Sequence, residues 1–168
     1  MTSKARWFWP LALTLLFTDC ATKRAVEHRL AVGETRPVVG QVVRFTLSYN
    51  RNAATGIELG GNSSRLVLSA LTVAALLVLG LVYHRTWPSD RLRLIGVALV
   101  AGGALGNLVD RIRSTAGVVD FIDIGVANVR FWTFNVADIG ITAGAVLLLL
   151  ALGWKTHSRG LSESQPSA

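Results

Sequence analysis

Four apolar stretches, each close to the roughly 20 residues that a bilayer's hydrocarbon thickness requires of a helix, leave this chain few ways to fold. They cover residues 7–22, 66–83, 94–109 and 134–154. Backbone in lipid has no water to bond to, so each stretch reads as a helix, and the chain as a mainly α membrane protein with four transmembrane helices. Composition agrees, with 51% of its 168 residues hydrophobic, 16% charged and a mean hydropathy of +0.47. The formal charge of +7 does not imply nucleic acid, because the 17 basic residues are scattered between apolar stretches instead of gathered on one face. A single cysteine, Cys20, excludes an internal disulfide.

Local features fit the spans. Pro10 falls in the first turn of the first stretch, where a missing N–H costs little. Gly102, Gly103 and Gly106 in the third would let neighbouring helices approach closely. Trp7, Trp9, Tyr83, Trp132 and Trp154 sit at stretch ends, as interfacial aromatic residues do. Lys4 and Arg6 before the first stretch suggest a signal peptide, but Asp19 stands before Cys20 where lipoprotein-type cleavage needs a small residue, so this stretch is expected to stay as a span. Arg85, Arg91 and Arg93 crowd the short loop 84–93, which places that loop and both termini on the cytoplasmic side and loops 23–65 and 110–133 outside. No linker divides residues 1–168, so one domain is expected, ending in a polar tail at 158–168.

The two outer loops hold the plausible strands. Apolar and polar side chains alternate over residues 43–49, and residues 121–132 suit a hairpin turning at 125–128. A small extracytoplasmic β-sheet platform on the membrane surface follows, able to receive an extended peptide by strand addition.

Four acidic residues, Asp19, Asp110, Asp120 and Asp138, lie at the outer ends of spans and are expected to converge near Lys23, Arg111, Asn107 and Asn135. Asp19 with Lys23, at i and i+4, and Asp110 with Arg111 read most simply as structural ion pairs. Asp120 and Asp138 have no basic neighbour at helical spacing, although Arg130 could reach either across a hairpin. Ionisable groups at a bilayer's edge cost several kcal/mol by order of magnitude, and chains carry them there for chemistry or transport. Two carboxyls held together can share one proton and activate water, which makes an intramembrane aspartyl peptidase the leading expectation.

Five motifs carry a resemblance. Asp19-Cys20-Ala21-Thr22-Lys23 ends the first span and Asn50-Arg51-Asn52-Ala53-Ala54 lies in the first outer loop. Gly102-Gly103-Ala104-Leu105-Gly106-Asn107-Leu108-Val109-Asp110-Arg111 ends the third span, with Val118-Val119-Asp120-Phe121-Ile122 and Phe134-Asn135-Val136-Ala137-Asp138 after it. In this order, on four spans, they resemble the signal peptidase II family, the bacterial lipoprotein signal peptidases. The resemblance implies that Asp120 and Asp138 are the catalytic dyad, that Asn50, Asn107, Arg111 and Asn135 line the site around the substrate, and that Asp19, Lys23 and Asp110 support it. It also implies a substrate, a prolipoprotein whose lipobox cysteine carries diacylglycerol, cut just before that cysteine, in the bacterial cytoplasmic (inner) membrane with the site near the extracytoplasmic face. Membrane lipids are the other expected partners, and a monomer is expected. The second motif departs from the family, with Asn52 in place of a glycine and Thr55 in place of an aromatic residue.

In such a dyad one member is ionised and takes a proton from water while the protonated member donates to the scissile carbonyl; the sequence leaves open which is which. No cofactor is expected, and His28, His84 and His157 lack zinc-ligand spacing. A transporter would place its aspartates near the midplane along a pathway. A non-catalytic relative that only binds prolipoproteins, or a divergent paralogue, would keep the fold with an altered second motif. A serine–lysine peptidase would need Lys23 beside Ser48, Ser63 or Ser64, which no motif brings together.

Overall fold

The computed structural model describes residues 3–51, 61–127 and 129–163. The family departures at Asn52 and Thr55 lie outside the described residues. Four helices form, α1 (Ala5–Glu27), α2 (Gly61–Arg85), α3 (Arg91–Arg113) and α4 (Val136–Glu163). Three of them contain segments long and apolar enough to cross a membrane, Ser64–Arg85, Arg91–Arg113 and Val136–Gly153. The helix of α4 continues to Glu163, past the apolar run and into the part of the chain expected to be a polar tail.

α3 is the central helix and packs against the other three. Its glycines explain how. A Cβ on Gly102 would strike the backbone of Ala12 in α1, and one on Gly103 the backbone of Ala137 in α4. At Gly96 and Gly144 the backbones of α3 and α4 meet each other in the same way. α2 packs on α3 and is tied to the start of α1, where Lys4 Nζ donates to the carbonyls of Tyr83 and His84 and the ring of Phe8 lies 4.7 Å from that of Tyr83.

The four strands are β1 (Thr35–Val39), β2 (Val43–Asn50), β3 (Val118–Val126) and β4 (Val129–Arg130), in spatial order β1-β2-β3-β4 with every pairing antiparallel. The central β2–β3 pair joins the two loops expected to carry strands. β3 begins at Val118, ahead of the expected hairpin, because residues 118–121 are buried on both faces and show no alternation to read. β1 was not expected at all. Each of its residues is exposed and it contains Pro37, which an edge strand tolerates. With no buried face it leaves no period-2 pattern.

Beneath the sheet, Leu47, Val119 and Phe121 pack on Val26 near the end of α1 and on Leu30 just beyond it. Strand alternation therefore turns Asp120 to the opposite face. Ser48 pairs with Asp120 and Asn50 with Val118, so Asn50 and Asp120 lie on the same face one step apart diagonally. Gly117, with φ 114°, makes the turn into β3 and lies so close to the backbone of Asn50 that a side chain there would collide with it.

Candidate active site

Asp138 occupies the third position of α4, and Asn135 is the residue that caps it. The Asp138 N–H donates to Asn135 Oδ1 at 3.0 Å and the Asn135 N–H donates to Asp138 Oδ2 at 3.1 Å. This is a reciprocal capping box, with Asp in place of the usual Glu. It fixes the carboxylate at a helix N-terminus, where free N–H groups and the helix dipole favour negative charge. Asp19, reaching across from α1, accepts from the Ala137 N–H at 2.9 Å and satisfies another free donor of the same helix end.

Asn135 is fully buried, and its side-chain amide spans the site. Its Nδ2 donates to Asp120 Oδ1 at 2.7 Å and also approaches Asn107 Oδ1 at 3.2 Å. Asn107 Nδ2 in turn donates to Asp138 Oδ1 at 2.9 Å. The two asparagines thus link the two carboxyls. Asn50 Nδ2 donates to the other oxygen of Asp120 at 3.1 Å.

Lys23 is fully buried and uses all three of its protons. Its Nζ lies 2.7 Å from Asp19 Oδ2, 2.9 Å from Asp110 Oδ2 and 2.9 Å from Asn107 Oδ1. By taking the oxygen of Asn107, Lys23 leaves that amide's nitrogen facing Asp138. Asp110 also accepts from the Val119 N–H at 3.1 Å, tying α3 to the strand that carries Asp120. Gly106 makes room for Asp19, whose carboxyl a side chain there would strike.

All nine residues expected at the site, Asp19, Lys23, Asn50, Asn107, Asp110, Arg111, Asp120, Asn135 and Asp138, therefore meet at one end of the helices. Their pairing differs in places from expectation. Asp19 and Lys23 form their i, i+4 pair, but Asp110 pairs with Lys23 and with Arg113 (3.1 Å), not with Arg111. Arg130 reaches neither Asp120 nor Asp138. It bonds Asp123 Oδ1 at 2.6 Å and the carbonyls of Gln41 and Val42, while Arg44 holds the other oxygen of Asp123. Arg111 forms no ion pair among the described residues; it donates to the Asn107 carbonyl at 3.3 Å and feels the charges of Asp138, Asp110 and Asp120.

A supporting chain was missed in the sequence. Arg113 joins Asp110 to Glu27 at 2.7 Å, and Glu27 accepts from the Tyr49 hydroxyl at 3.0 Å. The one available signal was that Glu27 lies four residues beyond Lys23, on the same face of α1.

Burial is the main cause that pushes the Asp120 carboxyl up to about 6, and the charge of Asp138 adds to it; the bonds from Asn50 and Asn135 oppose the shift only in part. One carboxyl that holds a proton beside another at a helix N-terminus can activate a water and protonate a carbonyl. From the pocket at Asp138 an apolar groove of about 600 Å³ runs past Phe134 and Trp132 along Ile139 and Thr142 of α4.

The family model for signal peptidase (SPase) II matches residues 11–154. A lipoprotein signal peptidase of Geobacillus kaustophilus is 34% identical over 144 residues, covering 86% of this chain and 90% of that protein. One from Coxiella burnetii is 35% identical over 156 residues, covering 89% and 93%. Two solved structures described as a bacterial membrane enzyme superpose with TM-scores of 0.75 and 0.79, each at 28% identity. The first match covers 84% of this chain and 89% of that one, the second 94% and 91%.

Proposed function

Since this chain belongs to the signal peptidase II family, we propose that it is an aspartic endopeptidase that removes the signal peptide from diacylglyceryl-modified prolipoproteins, cutting just before the lipidated cysteine, with Asp120 and Asp138 as the catalytic dyad. The observation that carries this reading is the linkage of those two carboxyls through Asn107 and Asn135.

Asp138 is the base. Held in the capping box at the start of α4, it takes a proton from a water whose oxygen attacks the scissile carbonyl carbon. Asp120 is the acid, and its proton goes to the carbonyl oxygen. When the C–N bond breaks, the proton on Asp138 passes to the leaving nitrogen and Asp120 recovers its own from the hydroxyl. The products are a carboxyl-ended signal peptide and a free amino group on the cysteine. Arg111, which forms no ion pair among the described residues, stands ready to stabilise the developing oxyanion, and Asn50, Asn107 and Asn135 line the substrate's path. Asp19, Lys23 and Asp110 hold them in place.

α1 is the fourth span. Its 23 residues extend about 35 Å at 1.5 Å per residue. Trp9, Leu13 and Phe17 are exposed along one face, while its charged Asp19 and Lys23 are wholly buried against α3. The protein lies in the bacterial inner membrane with both termini cytoplasmic and the dyad near the outer face, and works as a single-domain monomer. Lipid-modified substrate reaches the carboxyls sideways from the bilayer, along the apolar groove beside Asp138.

The test is cleavage of a diacylglyceryl-modified prolipoprotein by the purified protein, alongside Asp138→Asn and the unlipidated precursor. Cleavage before the modified cysteine is expected from the wild type only, and only with lipid attached. A folded wild-type protein that leaves the lipidated precursor intact would overturn the reading.

A further inference from the structure

On the side of the sheet away from Asp120, the end of α1 and the strands close on each other only in part. Ala25, Val26 and Leu30 face Phe45 and Phe121 across a cavity of about 260 Å³. Arg29 and Arg36 also line it, and both are exposed, so positive charge meets the cavity on its solvent side. Arg36 shares its charge with Glu34 at 2.8 Å. The Arg29 guanidinium has no carboxylate partner among the described residues, and so carries the uncompensated charge.

An apolar wall under a cationic edge fits an amphiphile with an anionic head. A helix turn, about 10 Å across and 5.4 Å high, fills about 420 Å³ and cannot sink into the cavity, whereas an unbranched acyl chain enters by one segment and leaves the rest outside. A free anion has no use for a wall built from Val26, Leu30, Phe45 and Phe121. We propose that this cavity binds an anionic glycerophospholipid, with one acyl chain against those four side chains and the phosphate on Arg29 and Arg36. The proposal rests on the reading above only in placing this end of α1 at the membrane surface. Phe121 follows Asp120 directly in β3, so an occupied cavity buttresses the strand that carries the carboxyl from its other face.

The test is native mass spectrometry of the whole protein released from phosphatidylcholine nanodiscs containing a minor share of phosphatidylglycerol. The wild type is expected to retain one phosphatidylglycerol well above its bulk share. Arg29→Gln lowers that retention about fivefold, the value of one cation near an anionic headgroup. Ala25→Phe, which fills the cavity from an exposed position, removes the adduct, and Arg24→Gln, on the same helix but outside the cavity, leaves it. Retention at the bulk ratio would overturn the proposal, as would equal losses in Arg24→Gln and Arg29→Gln, which mean diffuse surface charge. Full retention in Ala25→Phe would overturn it too, because the headgroup would then bind without its chain. No turnover is read, so a protein that holds the lipid and cleaves nothing refutes the peptidase reading and leaves this one standing.

Discussion

Asp120 and Asp138 are the same residue type in unlike surroundings, and substituting each has a different consequence. Asp120 is buried on a strand, and its carboxyl is raised from an ordinary 3.8 to about 6. The folded protein therefore binds more protons than the unfolded chain between those values. Stability from this group is fully present below about pH 4 and is lost as pH rises to about 6. At pH 7.5 Asp120→Asn should abolish cleavage. Removing the buried charge gains up to about 2–3 kcal/mol at 1.36 kcal/mol per unit, and leaving one of the Asn50 and Asn135 donors unpaired costs about 1–3 kcal/mol, so thermal unfolding in detergent should show little net change. A loss above about 3 kcal/mol would mean that the bonds from Asn50 and Asn135 outweigh the cost of burying the charge. Asp138→Asn should also abolish cleavage, but weaken the cap of α4 by about 0.5–1 kcal/mol. The proton on Asp120 further predicts that kcat/KM of the free enzyme falls above about pH 6, approaching tenfold per pH unit. A flat profile from pH 5.5 to 8 would place the catalytic proton elsewhere.

Helix contacts show most clearly in the glycines. At Gly102 and Gly103 an added methyl meets backbone that cannot swing aside, and at Gly106 it meets the carboxyl of Asp19. Each of Gly102→Ala and Gly103→Ala should cost about 1–3 kcal/mol through overpacking. Gly80→Ala in α2, where nothing lies within 4 Å, should gain up to about 1 kcal/mol from helix propensity. Equal melting points for the three variants would refute the packing account. The spacing of small residues in the third span made the close approach legible in the sequence; that Gly102 faces α1 and Gly103 faces α4 was not, since both helices lie far off along the chain. The second outer strand was legible because alternate residues of β2, Phe45, Leu47 and Tyr49, turn to the core, whereas β1, exposed throughout, left no pattern.

Across the molecule, α1 and α3 meet at Lys23, which bonds Asp19 within α1 and Asp110 and Asn107 of α3, and Asp110 carries the link on to the Val119 N–H of the sheet. Lys23→Met would leave the buried Asp19 carboxylate without a cation and Asp110 with Arg113 alone, and should cost about 3–5 kcal/mol; a change within 1 kcal/mol would show that water reaches the cluster. The proposed topology is testable by labelling in a Cys20→Ala background. An impermeant maleimide applied to intact spheroplasts should modify Val38→Cys on β1 and spare Ser89→Cys in the α2–α3 turn, both exposed positions. The reverse pattern would invert the protein in the membrane.

From the sequence alone came the apolar stretches, the two outer loops that pair as strands and the nine polar residues that converge, because lipid restricts where charge can sit and each motif is local. Tertiary structure alone decided the partners. Asp110 pairs with Lys23 and Arg113 instead of adjacent Arg111, and Arg130 serves Asp123 instead of either proposed catalytic carboxyl. It also decided that Asp19 and Lys23 of α1 are hidden, and that Asp120, buried on its strand, holds a proton to about pH 6. Those outcomes depend on distances between groups up to 118 residues apart, as between Asp19 and Ala137, and such distances exist only once the helices have packed.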